Sequence, residues 1–589
     1  MSLIRHVPEL AIKSKALLPN GEDFDVLIAG AGMAGLYTAW RLQNDGLQSP
    51  QLKKLADARP DKRLKIGIVE FSDRVGGRLD SVIIDGMDNV PAELGGMRFT
   101  ESHQLLNLVI RDLDLEGDIG PFDMTANSQF TLRGERLDEA AIRNGEPVPY
   151  NLEDAEKKKT PNELFNYAIT KVVGPDALSY TDANWQWVKE NFRYSDASGV
   201  YDNAALYNVG FWNLLYQVLS NEGYDYCWDG GGYNSNTINW NAAEAMPYML
   251  TDFSVTPKYL CFKDGFHTLP ATLAQRITQG PAPVPIYGGT RLVRFDRDAG
   301  GRLTGEVAAT ADASLRGRFS TSYLVLAMPR HSLELLDQDT PFFNAAPVQW
   351  NIQSVLLQPA YKLFMAYEKR WWDPELFYRG PTITDMPLRM TYDFGTEAEH
   401  GGAPGDQRAL LLASYCDMQG ASFWSVLERG KVHALPPSWS MTAAKGGAPA
   451  PESMCRMAEG MLKKSFKVDG KEPEPSERVG AYYQDWTQAP YGAGFHAWAA
   501  HYKASDVMRS VRQPLPDWPV FICGEAYSNQ QGWVEGALCT AESVLEDKFG
   551  VPRIAGLPDL YPLLTPPPVK PGDDEPFKTY LLRDTPNAF

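Results

Sequence analysis

The stretch "FDVLIAGAGMAGLYTAWRL", residues 24–42, decides the fold of the chain. Its first residues, 24–29, form an apolar run typical of a buried parallel strand. Apolar residues then recur at helical spacing over 33–46. The stretch is too short and too rich in glycine to cross a membrane, so it predicts a strand, a tight turn and a helix. Three glycines stand at the turn in the pattern G-x-G-x-x-G: Gly30, Gly32 and Gly35.

The segment "LKIGIVE", 64–70, predicts a second strand and completes a strand–helix–strand unit. Such a unit binds a dinucleotide, because the helix N-terminus offers N–H groups and a positive dipole end to a pyrophosphate. Gly30 then allows the tight turn, Gly32 lets the backbone approach the phosphates, and Gly35 lets helix and strand pack closely. Glu70, at the end of the second strand, is placed to hold ribose hydroxyls.

The spacing departs from the usual pattern at one point. Glu70 lies 35 residues after Gly35, where about 20 is usual. The polar, Lys-rich insertion "LQSPQLKKLADARPDKR" accounts for the excess if it is a surface loop between helix and strand.

Composition sets the broad class of the protein. A chain of 589 residues with 44% hydrophobic and 22% charged residues predicts a globular enzyme of two or three domains. The net charge of −18 argues against nucleic acid or an anionic membrane as partner. The six cysteines and eight histidines follow no metal-binding pattern, so no metal is expected. The N-terminus lacks the apolar region of a signal peptide, which predicts a soluble protein, cytoplasmic or secreted without a recognisable signal.

Three further motifs carry a family resemblance: "EFSDRVGGRLDS" at 70–81, "ELGGMRFT" at 93–100 and "ICGEAY" at 522–527. Together with the glycine turn, they make the chain resemble the flavin-containing amine oxidase family, and within it the L-amino acid oxidases. The resemblance covers about 24–549.

The resemblance implies an α/β (α+β composite) fold with a Rossmann-like FAD-binding domain, a helical insertion domain and a mixed-sheet substrate domain. In the family this FAD-binding domain is assembled from discontinuous segments, which fits the return of apolar strands late in this chain. The expected boundaries are 24–100, 255–335 and 515–550 for FAD binding, 101–254 for the largely helical domain, 336–514 for substrate binding, and 551–589 for a Pro-rich tail.

The resemblance also implies FAD as cofactor and assigns residues to its parts. The ADP half would be held by Gly30, Gly32, Ala34, Gly35 and Glu70, with the Leu292 backbone at the adenine. The pyrophosphate and ribityl chain would lie near Gly77, Arg78, Gly524 and Glu525. The flavin would be lined by Gly95, Gly96, Met97, Arg98, Trp533 and Val534.

The segment "YKLFMAYEKRWWDPE", 361–375, looks like the family segment whose lysine holds a water beside N5 of the flavin. This makes Lys362 a catalytic candidate. The alternative is a surface lysine on a strand, against which the apolar flanking residues argue. Burial would lower the pKa of this lysine and so suit it to proton handling.

Arg98, in "GGMRF", matches the arginine with which L-amino acid oxidases bind the substrate carboxylate. A guanidinium suits this task because it can form two parallel hydrogen bonds to a carboxylate. The alternative is a structural ion pair with Glu93 or Glu101. The segment "TDMPLRMTYD", 384–393, resembles the family's substrate domain; there Tyr392 would be a second carboxylate or cage contact, forming aromatic walls with Trp533.

The resulting hypothesis is oxidative deamination of L-amino acids by hydride transfer from Cα to the flavin, giving 2-oxo acid, ammonia and hydrogen peroxide. Expected partners are an L-amino acid, O₂ and a second copy of the chain in a homodimer. Three alternatives stay open: an amino acid 2-monooxygenase that forms an amide, an amine or polyamine oxidase in which Arg98 is structural, and a catalytically silent FAD-binding protein. His267 and His496 lie near candidate site segments and are expected to be structural or exposed.

Overall fold

A computed structural model describes residues 17–124, 127–252, 258–280, 282–377, 379–429 and 447–564. The fold is mixed α/β and is built around two large sheets. Of the predicted Pro-rich tail, residues 551–564 contain neither helix nor strand, and the remainder lies outside the described residues. None of the helices described combines the length and apolar character needed to cross a bilayer.

The first sheet has seven strands, of which five are parallel and follow the pattern of a nucleotide-binding fold. Its central strands are apolar and buried on both faces, as helices on each side require. The parallel strands are, in spatial order, Ile286–Tyr287, Ile66–Val69, Glu22–Ala29, Arg316–Leu326 and Val520–Ile522. An antiparallel hairpin pairs with the first half of Arg316–Leu326; its strands are Thr290–Arg297 and Leu303–Ala309.

Helix Met33–Asp45 follows the first strand directly, as predicted. Helices Thr268–Gln279 and Val534–Val544 pack against it, so early and late parts of the chain share one core. The insertion after this helix, predicted to be a surface loop, instead contains helix Pro50–Asp57. This helix forms because the Ser49 side chain accepts a hydrogen bond from an N–H of its first turn, and its apolar residues are buried.

The second sheet has eight strands and is antiparallel apart from one parallel pair. Strand Ala360–Tyr367 lies inside this sheet and is buried over its whole length. Two strands come from the segment predicted to be largely helical, so that segment also contributes to the sheet. The spatial order is Ala448–Pro449, Arg478–Asp485, Ala360–Tyr367, Ala409–Asp417, Met390–Thr396, Thr382–Thr384, Gln129–Leu132 and Glu135–Asp138. The division of the chain into domains stays a prediction.

The remaining described elements connect and cover these sheets. The segment between strands Glu135–Asp138 and Tyr259–Phe262 contains helices Glu139–Asn144, Pro161–Val173, Asp182–Asn191, Phe211–Val218, Asn221–Gly230 and Ala242–Asp252. Further helices are Gln104–Asp112, Arg330–Glu334, Ala346–Ile352, Pro374–Phe377, Met418–Ser425, Glu452–Ser465, Ala504–Ser510 and a π-helical turn at Leu545–Phe549. Short strands pair as Phe99–Thr100 and Ile119–Pro121 with Tyr259–Phe262, Ser81–Val82 with Ala92–Glu93, Arg193–Tyr194 with Ala204–Ala205, and Val355–Gln358 with Phe495–Trp498.

Candidate active site

A long cavity lies where the parallel strands of the first sheet end. Its lining includes the residues that directly follow strands Glu22–Ala29, Ile66–Val69 and Arg316–Leu326. In open parallel sheets, ligands bind at this carboxyl edge. From there the cavity reaches Lys362 in the second sheet, so the two sheets together enclose it.

The glycine turn forms one end of the cavity. Gly30 has a φ of +110°, and a Cβ there would lie 2.4 Å from the Ala327 carbonyl oxygen. A Cβ on Gly35 would lie 1.9 Å from the Gly30 carbonyl oxygen, which explains why helix and turn can pack so closely. Gly32 differs, because its nearest neighbour, the Gly77 Cα, would lie 3.8 Å from an added Cβ. Gly32 therefore leaves its backbone open to the cavity, whereas Gly35 does not line it.

The N-terminus of helix Met33–Asp45 is suited to an anion. No side chain caps it, and its first turn holds no acidic residue. Such an end presents unpaired N–H groups and a positive dipole. Ala34 and Gly77 also line the cavity here. This end of the cavity can hold the phosphates of a dinucleotide.

Glu70 lies at the carboxyl end of the second strand, is buried and lines the cavity. Its carboxylate accepts hydrogen bonds from the Ala31 N–H at 2.6 Å and from the Ser72 N–H at 2.8 Å. These bonds join the glycine turn to the second strand. Leu292 also lines the cavity. It lies two residues after Thr290, whose N–H donates to the Glu70 carbonyl.

Glu525 lines the cavity, and its carboxylate is held by several hydrogen bonds. Its carboxylate accepts from the Arg78 guanidinium at 2.8 Å and from the Gly532 N–H at 2.8 Å. The His496 imidazole lies 2.9 Å away, and Arg78 also donates to the Gly494 carbonyl. Burial alone would raise the pKa of Glu525, but Arg78, His496 and the backbone N–H groups lower it to about 2. The carboxylate is thus a fixed negative charge beside the cavity.

Lys362 is buried and lines the far end of the cavity. Its Nζ donates to the carbonyl oxygens of Glu93, at 3.0 Å, and Gly95, at 2.6 Å. It also lies 4.5 Å from the ring centre of Tyr415. Burial lowers the pKa of Lys362, and the charge of Arg98 acts in the same direction, while Glu93 opposes both.

Arg98 is half-buried at the same end of the cavity. Its guanidinium carbon lies 4.1 Å from the ring centre of Tyr259 and 5.6 Å from that of Phe122, and Nη1 lies 2.7 Å from the Met124 Sδ. Within the described ranges, no carboxylate forms an ion pair with this guanidinium. Arg98 therefore presents an uncompensated positive charge, held by aromatic rings, to the cavity.

Tyr392 lies beside Arg98 but is not part of the cavity lining. Its side chain is only 2% exposed, and Tyr233 and Tyr415 line the cavity at this end. Lys362 pairs with Tyr415 on the neighbouring strand, whereas Tyr392 lies one strand further away. Burial raises the pKa of Tyr392, and the charge of Arg98 and its hydrogen bond oppose that rise. A contact between Tyr392 and the substrate stays a prediction.

Trp533 lines the cavity at the N-cap of helix Val534–Val544, and Val534 lines it too. The indole stacks on Tyr259, with ring centres 6.4 Å apart and an angle of 13°. The His103 ring also makes an edge contact with the indole, with ring centres 4.9 Å apart. The order Arg98, Tyr259, Trp533 forms one continuous wall of the cavity.

The structure brings most of the sequence-derived candidates to this cavity. Gly30, Gly32, Ala34, Glu70, Gly77, Arg78, Gly95, Gly96, Met97, Arg98, Leu292, Lys362, Gly524, Glu525, Trp533 and Val534 line it, while Gly35 and Tyr392 lie behind it. Sequence reasoning missed several lining residues that carry polar or aromatic groups: Tyr233, Asn236, Tyr248, Tyr259 and Tyr415. His496, expected to be structural or exposed, is buried and bonded to Glu525. The run "DWTQAPYGAGFHAW", 485–498, matches the amine oxidase family, a resemblance that predicts aromatic pocket residues there, and its Trp486, Tyr491 and Phe495 do line the cavity. No comparable signal marks the tyrosines of the other segments.

Comparison with known proteins gives full-length relatives at low identity. The chain is 26% identical to aplysianin-A of Aplysia kurodai over 549 residues, which cover 90% of each chain. It is 23% identical to achacin of Lissachatina fulica, covering 89% of this chain and 93% of achacin. It is 22% identical to an L-amino-acid oxidase of Siganus canaliculatus, covering 88% of this chain and 83% of that protein.

The fold is similar to that of solved oxidases. The chain matches wild-type putrescine oxidase bound to putrescine with a TM-score of 0.58 and 17% identity, over 90% of this chain and 99% of that one. At this identity the match concerns the fold alone. It confirms the predicted α/β fold class with a Rossmann-like FAD-binding region.

The family itself follows from a match over most of the chain. The sequence model described as flavin containing amine oxidoreductase matches residues 33–544. The residues at the glycine turn fit FAD: the N-terminus of helix Met33–Asp45 is uncapped and could hold its phosphates, and a Cβ on Gly32 would come no nearer than 3.8 Å to another residue. The chain therefore belongs to the flavin-containing amine oxidoreductase family and is an FAD-dependent enzyme.

Proposed function

We propose that this protein oxidises L-amino acids to 2-oxo acids, releasing ammonia and reducing O₂ to hydrogen peroxide. FAD, when bound, accepts the hydride from the substrate Cα and passes the electrons to O₂. The observation that carries the proposal is Arg98, a guanidinium without a carboxylate partner in the described structure, at the end of the cavity that also holds Lys362.

An α-carboxylate supplies the partner that Arg98 lacks. Two parallel N–H···O bonds would fix the carboxylate, while the aromatic rings beneath the guanidinium keep it in one orientation. The Glu93 carboxylate accepts from the Phe266 N–H and the Ser81 hydroxyl, and in the described structure it forms no ion pair with Arg98. Glu101 forms no ion pair with Arg98 either, among the residues described.

The charges of the cavity argue against a polyamine. A diamine needs an anion for its distal ammonium, and the carboxylates in the described lining are Glu70 and Glu525. Both are already bonded, Glu70 to the glycine turn and Glu525 to Arg78. Arg98 would repel such a substrate. The full-length relative called an L-amino-acid oxidase supports the same choice.

Lys362 can take up the proton that the substrate must lose. An amino acid enters as an ammonium ion, and only the neutral amine has the lone pair that assists hydride loss. With two N–H groups donated to the carbonyls of Glu93 and Gly95, the neutral lysine keeps its lone pair for the cavity. Its lowered pKa means that a proton can be accepted and released again near neutral pH.

Aromatic rings surround these two residues and suit a large neutral side chain on the substrate. Tyr233 lies 5.2 Å from Tyr415 and 6.5 Å from Phe495, between ring centres, and Tyr259 and Trp533 close the opposite wall. We therefore expect amino acids with aromatic or large apolar side chains to be oxidised fastest.

The test is anaerobic reduction of the bound flavin, followed by absorbance. L-phenylalanine should bleach the flavin bands, while phenethylamine and putrescine at equal concentration should act at least roughly tenfold more slowly, because they lack one charge-assisted contact. D-phenylalanine keeps the carboxylate but should also act more slowly, because with that group on Arg98 it cannot place both its Cα–H and its side chain as the L isomer does. Reoxidation with O₂ should yield phenylpyruvate and hydrogen peroxide. Bleaching by phenethylamine or putrescine but not by the amino acid would show an amine oxidase, and phenylacetamide as product would show a monooxygenase.

The homodimer implied by the resemblance remains a prediction. Light scattering behind size-exclusion chromatography checks it, with a mass near twice 65.5 kDa expected.

A further inference from the structure

The Lys362 amine is held by the backbone of residues 93–95. The backbone carbonyl of Glu93 accepts one of its N–H bonds, and the chain then leads within two residues to Gly95, whose carbonyl accepts another. The position of the amine in the cavity is therefore set by the backbone at 93–95.

The Glu93 side chain fixes that backbone from behind. It is only 4% exposed. One carboxylate oxygen accepts from the Phe266 N–H at 2.8 Å and the other from the Ser81 hydroxyl at 2.6 Å. These two bonds tie the short strand Ala92–Glu93 to its partner strand and to the Phe266 segment of the cavity wall. No lysine or arginine forms a salt bridge with this carboxylate in the part of the chain described.

We propose that Glu93 is a positioning residue for amine oxidation: its backbone carbonyl places Lys362, and its buried carboxylate sets the charge that Lys362 carries in the free enzyme. The inference rests on the proposed role of Lys362 as proton acceptor. It does not depend on Arg98 or on the substrate carboxylate.

The direction of the effect follows from the charges around Lys362. Burial and Arg98 lower the pKa of Lys362, whereas the Glu93 carboxylate raises it. Burial likewise raises the pKa of Glu93, and the Ser81 and Phe266 hydrogen bonds and Lys362 lower it. The other polar groups that face the pair are Asp80, Cys261, His267, Tyr415 and Gln484.

Removing the Glu93 charge should therefore make Lys362 a weaker base. The rate of flavin reduction rises with pH as Lys362 loses its proton. In Glu93→Gln this rise should move to lower pH by about one unit or more. The amide can still accept from the Phe266 N–H and donate to the Ser81 oxygen, so the strand pairing is retained.

Two further variants make the test specific. Ser81→Ala removes a hydrogen bond that favours the charged form of Glu93. In this variant the rise of the flavin-reduction rate with pH should also move to lower pH, but by less than in Glu93→Gln. Glu101→Gln removes an exposed carboxylate nearby in sequence, and the pH dependence of its flavin-reduction rate should be the same as in the unaltered protein. The measurement is stopped-flow flavin reduction between pH 5 and 10, with whichever amino acid or amine the unaltered protein oxidises.

A second readout is independent of turnover. Benzoate, added to the oxidised holoenzyme, is titrated by its effect on flavin absorbance, and its Kd should rise with pH as Lys362 loses its charge. In Glu93→Gln this rise should shift to lower pH in parallel with the kinetic one.

Unshifted profiles in Glu93→Gln and Ser81→Ala would overturn the inference, whether or not overall rates fall. An unaltered protein that reduces its flavin only with simple amines would refute the proposed substrate class, while the same shift in its pH profile would still support the role of Glu93.

Discussion

Replacing Arg98 by methionine separates carboxylate binding from every other role of this residue. Methionine keeps an apolar stem against the Tyr259 and Phe122 rings, which lie 4.1 and 5.6 Å from the guanidinium carbon, and removes only the charge and the N–H donors. The natural comparison is between two substrates, L-phenylalanine and phenethylamine, which differ only in the carboxylate.

The magnitude follows from the surroundings of the guanidinium. It is half-buried and has no carboxylate partner among the described residues, so a substrate carboxylate would form two charge-assisted bonds without displacing another ion pair. Losing them should cost about 3–5 kcal/mol in kcat/KM, a factor of roughly 10²–10⁴. For phenethylamine no such bond exists, so its kcat/KM should be unchanged or higher when both proteins are compared at a pH high enough to keep Lys362 neutral, since losing the Arg98 charge raises the pKa of Lys362.

The assay is steady-state hydrogen peroxide production with both substrates at one pH, together with the flavin spectrum of each variant. A large loss for phenylalanine alone would establish the carboxylate contact. A similar loss for both substrates would refute this reasoning and make Arg98 a structural residue.

Three other outcomes test the remaining geometry. Gly32→Ala should fold normally, because the new Cβ would lie 3.8 Å from its nearest neighbour, but it should bind FAD at least roughly tenfold more weakly for loss of a phosphate contact. Gly35→Ala should destabilise the apoprotein, because its Cβ would lie 1.9 Å from a carbonyl oxygen. Equilibrium unfolding measures the stability of both variants, and flavin fluorescence measures their FAD binding. Lys362→Met should retain FAD but reduce it about 10²–10⁴-fold more slowly in stopped-flow experiments. Glu525, with its pKa lowered from 4.5 to about 2, should contribute roughly 3 kcal/mol of stability that is present above about pH 5 and is lost as the pH falls toward 2, and Glu525→Gln should flatten that part of the unfolding curve.

The cofactor end of the cavity was the most predictable part of the molecule. A G-x-G-x-x-G turn between a strand and a helix allows few backbone conformations. Its glycines are required because a Cβ on Gly30 or Gly35 would collide with a backbone carbonyl oxygen. The helix at 50–57 was missed although Ser49 and Pro50 are a recognisable N-cap and first helical residue. The lysines of this segment conceal its helical pattern, in which Leu52 and Ala56 are the buried apolar residues.

The substrate end was less accessible from sequence because it depends on strand register. Tyr415 faces Lys362 only because strands Ala360–Tyr367 and Ala409–Asp417 pair in this register, and the sequence of neither strand predicts that register. Tyr392, assigned from the resemblance alone, lies one strand away. A register shift of a single residue exchanges the two faces of a strand, so local patterns cannot choose between these tyrosines.

The wide separation of the cavity's parts in sequence has a consequence for biosynthesis. Gly30 and Glu525 stand at opposite ends of the chain, yet both belong to the same cradle. A ribosome must therefore translate past residue 544 before a nascent polypeptide can complete this flavin cradle. Until then the early strand and helix lack partners such as Val520–Ile522 and Val534–Val544, and their apolar faces stay exposed. Yellow colour should thus develop only after these late elements have been made, and a frameshift upstream of them should leave a colourless product.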